Sequence, residues 1–441
     1  MGKLLSAAVL AISLSQCGTE MTEQTTTETD VVFATNVGGG AYLSSDGIRY
    51  AAETGISGGT VATLDGIKGS QDPTLYQTYR VGDDIKVSQP LPNGQYNVIL
   101  HFAEPLEIGG GERLFDVIIN GRKRVASLDV MGWRDGKILS GLTIASDRVD
   151  VSDGLLEVTF EALEREPILS AVVVRKNAPR AADWKLVWQD EFDYEGQPNP
   201  EKWSHNLWPA KKVNDEDQTY TDRLENVRVE DGHLVIEARR EALNDADYTS
   251  GRIHTAGKGD FLYGRFEIKA KVPRGQGTWP AIWMLPSDPF KYATTCEPGE
   301  DWQGSATCDA WPNSGEIDIL EHVGYQMGHV HGTVHNRAYY WVNWEQRKGR
   351  IIDDTVDEEF HVYALEWSED RIDIFVDDAL YFTYMNEGTG WEAWPYDHEF
   401  HLIINIAMGG VWGRAGGPTD DAALPQKLYV DYVRVYQRGS E

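Results

Sequence analysis

Cysteine is scarce: the 441 residues hold three, at positions 17, 296 and 308. No CxxC pair and no Cys/His cluster occurs, so nothing suggests a structural zinc site. Basic charge is also in short supply. Forty Lys and Arg stand against 70 Asp and Glu, a formal net charge of −30. That balance argues against a nucleic-acid partner, which needs a basic surface, and disfavours a strongly sulfated polymer. A neutral polymer fits it. Long apolar runs are lacking, since the apolar stretch at residues 4–14 is too short to span a bilayer. Helix-period segments are few after residue 30, which argues for an all-β chain.

What is present begins with aromatics. Fifteen Trp and 20 Tyr serve either large β-sandwich cores or flat platforms against sugar rings. At the N-terminus, Lys3 precedes the apolar stretch, and Leu14-Ser15-Gln16-Cys17 resembles a bacterial lipoprotein signal. On that reading residues 1–17 are the signal, Cys17 is acylated, and the protein is exported and lipid-anchored at the outer membrane or cell surface. A plain secretory signal, giving a secreted protein, is the other reading. Residues 18–30 are polar and rich in Thr and Glu, as expected of a tether. An exported protein can oxidise Cys296 and Cys308 to a disulfide.

Nearly everything after residue 30 reads as short strands punctuated by Asn-Gly, Asp-Gly and Gly-Gly turns; residues 96–102, 115–120, 233–238 and 371–376 are examples. The pattern predicts two all-β sandwich domains, over 31–176 and 183–438, with a polar linker at 177–182.

One segment carries chemistry. Gly315-Glu316-Ile317-Asp318-Ile319-Leu320-Glu321-His322 places three carboxylates among apolar residues. On a helix, Glu316 and Glu321 diverge. On a plain strand, Glu316 and Asp318 share a face and Glu321 takes the other. One β-bulge before Glu321 brings all three together. Such a cluster costs several kcal/mol unless protons or hydrogen bonds are shared. Catalysis, a calcium site or a solvated acidic face would each account for it.

The neighbours narrow that choice. Trp279-Pro280-Ala281-Ile282-Trp283-Met284-Leu285-Pro286 lies upstream, Trp311-Pro312 just before the acids, and a closing Val430-Asp431-Tyr432-Val433-Arg434-Val435-Tyr436 downstream. With Glu-x-Asp-x-x-Glu, these make residues 183–438 resemble glycoside hydrolase family 16, in particular its bacterial laminarinase (endo-1,3-β-glucanase) branch. The resemblance implies a concanavalin-like jelly roll with an open cleft and a retaining mechanism without a catalytic cofactor. It assigns Glu316 as nucleophile, Glu321 as general acid/base and Asp318 as the carboxyl that supports Glu316. Retaining sites hold the two working carboxyls about 5–5.5 Å apart. It further implies that Trp283, Trp279, Trp311, His335 and Asn214 line the substrate cleft. Arg252 matches a recurrent position and is expected in a structural ion pair. His322, next to Glu321, is expected to be structural. A structural calcium ion would take Glu191 and Asp431. The insertion at 287–310, with Cys296 and Cys308, departs from the family pattern and bears on fine specificity.

Residues 31–176 resemble a malectin-like carbohydrate-binding domain, through Asn36-Val37-Gly38-Gly39, Leu75-Tyr76-Gln77-Thr78-Tyr79-Arg80 and Arg113-Leu114-Phe115-Asp116-Val117. Tyr42, Tyr76 and Tyr79 are its candidate sugar contacts; a structural spacer is the other reading. The chain is thus expected to be a monomeric endo-hydrolase of β-1,3-glucan or mixed-linkage β-1,3/1,4-glucan. Two alternatives remain: a hydrolase of agarose- or carrageenan-type galactan, and a non-catalytic surface glycan-binding protein.

Overall fold

The computed structural model of the protein describes residues 30–176 and 184–438, apart from Asp135 and Trp344. The expected signal, the linker and all of the tether but Asp30 lie outside the described residues.

The N-terminal part forms a sandwich whose first sheet is built on β1 (Val31–Asn36), β2 (Gly94–Phe102), β3 (Leu142–Val151) and β4 (Ala171–Lys176). Its second sheet has five strands, centred on Leu114–Ile119 and Leu155–Glu164. Between them Phe102, Phe115 and Phe160 pack as a triangle with centroids 5.8–6.5 Å apart. Each such pair contributes about 0.5–1.5 kcal/mol beyond its buried area. Tyr76 and Tyr79 belong to this buried set. The Tyr76 hydroxyl sits 3.0 Å from His101 Nδ1 and 3.1 Å from Thr143 Oγ1. Tyr42 is half-buried and donates to Asp72 at 2.8 Å. Both rings are thus nearly covered, and of the two Tyr76 lies on the wall of a cavity shared with Tyr50 and His101.

The C-terminal part is a second sandwich. Its inner sheet contains β5 (Arg252–His254), β6 (Thr278–Pro286), β7 (Glu316–Glu321), β8 (His329–His335), β9 (Arg347–Ile352) and β10 (Phe400–Met408), in the spatial order β5-β10-β6-β7-β8-β9. A ten-stranded sheet, including Gly264–Lys271, His361–Trp367 and Gln426–Arg438, covers its back. Ile282, Ile317, Ile404 and Leu428 are fully buried between the layers. The fold is all-β with two sandwiches, as the strand pattern predicts. Among the described residues, no helix is long and apolar enough to cross a membrane.

The two sandwiches are joined through their sheets. Strand β9 pairs in parallel with β3, with Ile144 opposite Arg350 and Ser146 opposite Ile352. The sheet holding the three acids therefore runs on into the N-terminal part as one 14-stranded sheet among the described residues. Asn97 Nδ2 donates to the Leu380 carbonyl at 2.7 Å and Gln71 Nε2 to that of Met385 at 2.8 Å. Arg148 pairs with Asp353 across the same junction.

Candidate active site

The bulge is present. Ile282 faces Leu320 and the next residue, Trp283, faces Asp318, so Ile319 is the extra residue of β7. On the other side Asp318 faces Thr333 and Glu321 faces His331, again one residue out of step. Ile319 and Leu320 are both fully buried. Two successive apolar side chains enter the core, and the alternation resumes with Glu321 on the face of Glu316 and Asp318. Gly315 makes the approach to β7. Its φ of +92° favours glycine, and a Cβ there would meet Phe400, Pro395 and Tyr396 at 3.1 Å.

Two tryptophans hold the outer acids. Trp311 Nε1 donates to Glu316 Oε2 at 2.9 Å, and Trp279 Nε1 donates to Glu321 Oε1 at 3.1 Å. His335 Nε2 lies 3.8 Å from Glu316 Oε1 and 3.6 Å from Asp318 Oδ2. Burial pulls His335 down to about 3, so it is neutral in this row.

Burial raises all three carboxyls. Asp318 is pushed well above its ordinary range by burial and then by the charges of Glu316 and Glu321. It shares a hydrogen bond with Glu316, which favours the protonated form of Asp318. Burial lifts Glu316 to about 8, helped by the Glu321 charge, and lifts Glu321 to about 7. On those values alone the first negative charge would fall on Glu321. Those values already include the partners, which for Glu316 are the Trp311 N–H, the Arg252 charge and the hydrogen bond with Asp318. Glu321 has the Trp279 N–H and a weaker attraction from Lys348. A charge on Glu316 beside a protonated Glu321 is the state a retaining glycosidase needs.

The other expected cleft residues are placed as follows. Trp283 Nε1 donates to Asn405 Oδ1 at 2.8 Å. Asn405 in turn donates to the Tyr220 hydroxyl at 3.1 Å, and that hydroxyl lies 3.3 Å from Glu216 Oε2. Glu216 is buried and its pKa is raised by that burial. Asn214 does not join the carboxylates. Its amide lies 3.3 Å from Glu216 Oε1, and its carbonyl accepts from Val411 N at 2.8 Å. Arg252 forms no ion pair among the described residues. Its guanidinium is stacked between Trp208, at 4.3 Å, and Trp283, at 4.7 Å. That stacking and a 2.9 Å bond to Asn206 Oδ1 hold it, and the charges of Glu216 and Glu316 act on it without an ion-pair contact. His322 is fully buried, as expected of a structural residue. Asn405, Tyr220 and Trp412 were not singled out from the sequence. Trp412 packs edge-on to Trp279 and His331 at 5.5 and 5.0 Å. Their contacts cross between distant segments, so local spacing carries no signal for them.

The expected calcium ligands do not form a calcium site. Both carboxylate oxygens of Glu191 take the Arg434 guanidinium, at 2.8 and 2.7 Å, and Asp431 takes Lys269 at 2.7 Å. Acids committed to two cations do not fit a divalent ion, which needs free oxygen donors. Cys296 and Cys308 are joined in a disulfide. The insertion that carries them rests on the segment of Asn214, where Lys212 pairs with Asp301 and a Cβ on Gly304 would strike the Lys212 carbonyl.

The family model "Glycosyl hydrolases family 16" matches residues 214–434 and "Malectin domain" matches residues 31–177. A β-glucanase of Rhodothermus marinus is 49% identical over 264 residues, which are 58% of this chain and 87% of that protein. The laminarinase structure from Rhodothermus marinus is 49% identical with a TM-score of 0.53, covering 58% of this chain and 98% of that one. A variant of SCLam, a non-specific endo-β-1,3(4)-glucanase crystallised with a glucan fragment at its active site, is 40% identical with a TM-score of 0.53. That match covers 59% of this chain and 96% of the other. With three acids aligned on a bulged strand and these similarities over its C-terminal part, the chain belongs to glycosyl hydrolase family 16 and carries a malectin domain on its N-terminal side.

Proposed function

We propose that the protein is a retaining endo-hydrolase of β-1,3-glucan or mixed-linkage β-1,3/1,4-glucan. The observation that carries this is the shared face of Glu316, Asp318 and Glu321, with a separate indole N–H on each outer acid. Relatives named as laminarinase and β-1,3(4)-glucanase support the substrate class, and the acidic charge of the chain suits a neutral polymer.

In this reading the Glu316 carboxylate attacks the anomeric carbon while Glu321 gives its proton to the departing glycosidic oxygen. The bond to the leaving sugar breaks and an ester to Glu316 forms. Water then attacks the same carbon, Glu321 takes its proton, and Glu316 leaves as carboxylate. Two inversions retain the β configuration. Asp318, by donating to Glu316, steadies the nucleophile and lowers its basicity as it leaves. Trp283 and Trp279 would stack on sugars flanking the cleavage point, and His335 would border the site as a neutral hydrogen-bonding group. No cofactor enters either step.

The lipid anchor at Cys17, the export that goes with it, a monomeric state and the division at residues 177–182 belong to the same proposal. They rest on the sequence features described above. Reducing-end release from laminarin, lichenan, agarose and κ-carrageenan tests the function, with Glu316→Gln as control. Cleavage confined to a galactan would overturn the glucan assignment, and an active Glu316→Gln enzyme would overturn the assigned nucleophile.

A further inference from the structure

The N-terminal domain reaches the cleft. Trp133 and Lys137 contact neighbours of the catalytic row at two points. At the first, Glu321 faces His331, and His331 faces Arg350. The Arg350 guanidinium lies 4.5 Å from the Trp133 ring, and Trp133 packs edge-on to His329 at 4.4 Å. At the second, Lys137 Nζ donates to the Trp341 carbonyl at 3.0 Å. Lys137 and Trp133 are themselves buried, so both contacts belong to a packed junction.

The loop that Lys137 holds is aromatic and leads away from Glu316. Trp311, bonded to Glu316, meets the Tyr340 ring edge-on at 5.9 Å. Trp341 follows and is 51% exposed, the only exposed tryptophan among the described residues. The far side of the loop is pinned by the N-terminal domain as well. Glu345 accepts from Gly69 N at 3.0 Å and lies 3.7 Å from Lys68 Nζ. An exposed indole on a loop tied down at both ends is a rigid flat surface, and binding a sugar to it costs little ordering.

We propose that Trp341 is a stacking platform for a sugar ring of the polysaccharide beyond Trp311, and that Lys137 of the N-terminal domain is the residue that positions it. The malectin domain then acts as one wall of the cleft and sets how many sugars the enzyme grips. This rests on the glycan-hydrolase reading and adds to it the length of chain recognised.

Full-length Trp341→Ala, Lys137→Met and Lys137→Arg test the proposal on the polymer the wild type cleaves best. Parallel measurements use a trisaccharide of the same linkage, and migration through gels containing the polymer gives binding without turnover. Trp341→Ala is expected to raise KM for the polymer roughly three- to tenfold, with kcat within twofold. It should lose retardation in the gel while KM for the trisaccharide stays put. Lys137→Met should reproduce part of the polymer effect, and Lys137→Arg should restore it. Unchanged polymer KM and retardation in Trp341→Ala overturn the platform. Equal losses on polymer and trisaccharide in Lys137→Met overturn its positioning role. A wild type that cleaves a galactan instead of a glucan overturns the glucan assignment alone, because each variant is still compared with wild type on that polymer.

Discussion

The Trp311 indole donates to Glu316 Oε2 at 2.9 Å, on the carboxylate that Asp318 also supports. Both donors favour the ionised form of Glu316 against the burial that disfavours it. Glu321 has the single Trp279 N–H and is the acid that a retaining mechanism needs protonated.

Removing either working acid should abolish turnover without unfolding the protein. Glu321→Gln is expected to lower kcat about 10²–10⁴-fold on polymer, the usual range for a lost general acid. Glu316→Gln should be at least as damaging. Proton NMR of the first products from wild type should show the β-anomer before mutarotation. An initial α-anomer would exclude the double displacement.

The pH profile follows from the raised acid. Glu321 must be protonated to act, and burial lifts it to about 7. The kcat/KM profile should therefore fall as pH rises through about 7, and not at the ordinary glutamate value of 4.5. Trp279→Phe deletes the N–H that favours ionised Glu321, so the alkaline limb should move to higher pH. A limb that stays in place would remove that hydrogen bond from the account.

The same shifts predict a stability cost. Glu316, Asp318 and Glu321 all have folded values above their ordinary ones, so the folded state binds more protons. The favourable contribution of the two glutamates is complete below about 4.5 and is lost as pH rises through the pair's values of about 7 and 8. Glu316→Gln should therefore melt above wild type at pH 8 and level with it at pH 4.5. Equal melting temperatures at pH 8 would show that the carboxyls are not strained by burial.

The shared sheet predicts cooperative unfolding. Because β9 pairs with β3 and Arg148 with Asp353, loss of one sandwich exposes the edge of the other. Calorimetry of the full chain should give one endotherm. Two separated endotherms would show that the junction contributes little.

The sequence alone determined the all-β class, through strand-length apolar segments closed by turn dipeptides. It also singled out the three acids, as a costly cluster on one short segment, and the tryptophan runs around them narrowed their role to catalysis. It allowed the bulge, as the one strand geometry that gathers all three, and the pairings of β7 with β6 and β8 then carry it. Other features were decided only in three dimensions. Glu191 and Asp431 matched a calcium pattern, yet Arg434 and Lys269, on neighbouring strands, took their charge. Arg252 was expected opposite a carboxylate and lies between two indoles that come from 44 and 31 residues away along the chain. The contact of Lys137 with the Trp341 carbonyl spans 204 positions. Hydrophobic periodicity and turn chemistry act over a few residues and so are legible in sequence. Cross-strand partners and domain junctions depend on which edges meet, and that is settled when the two sandwiches pack.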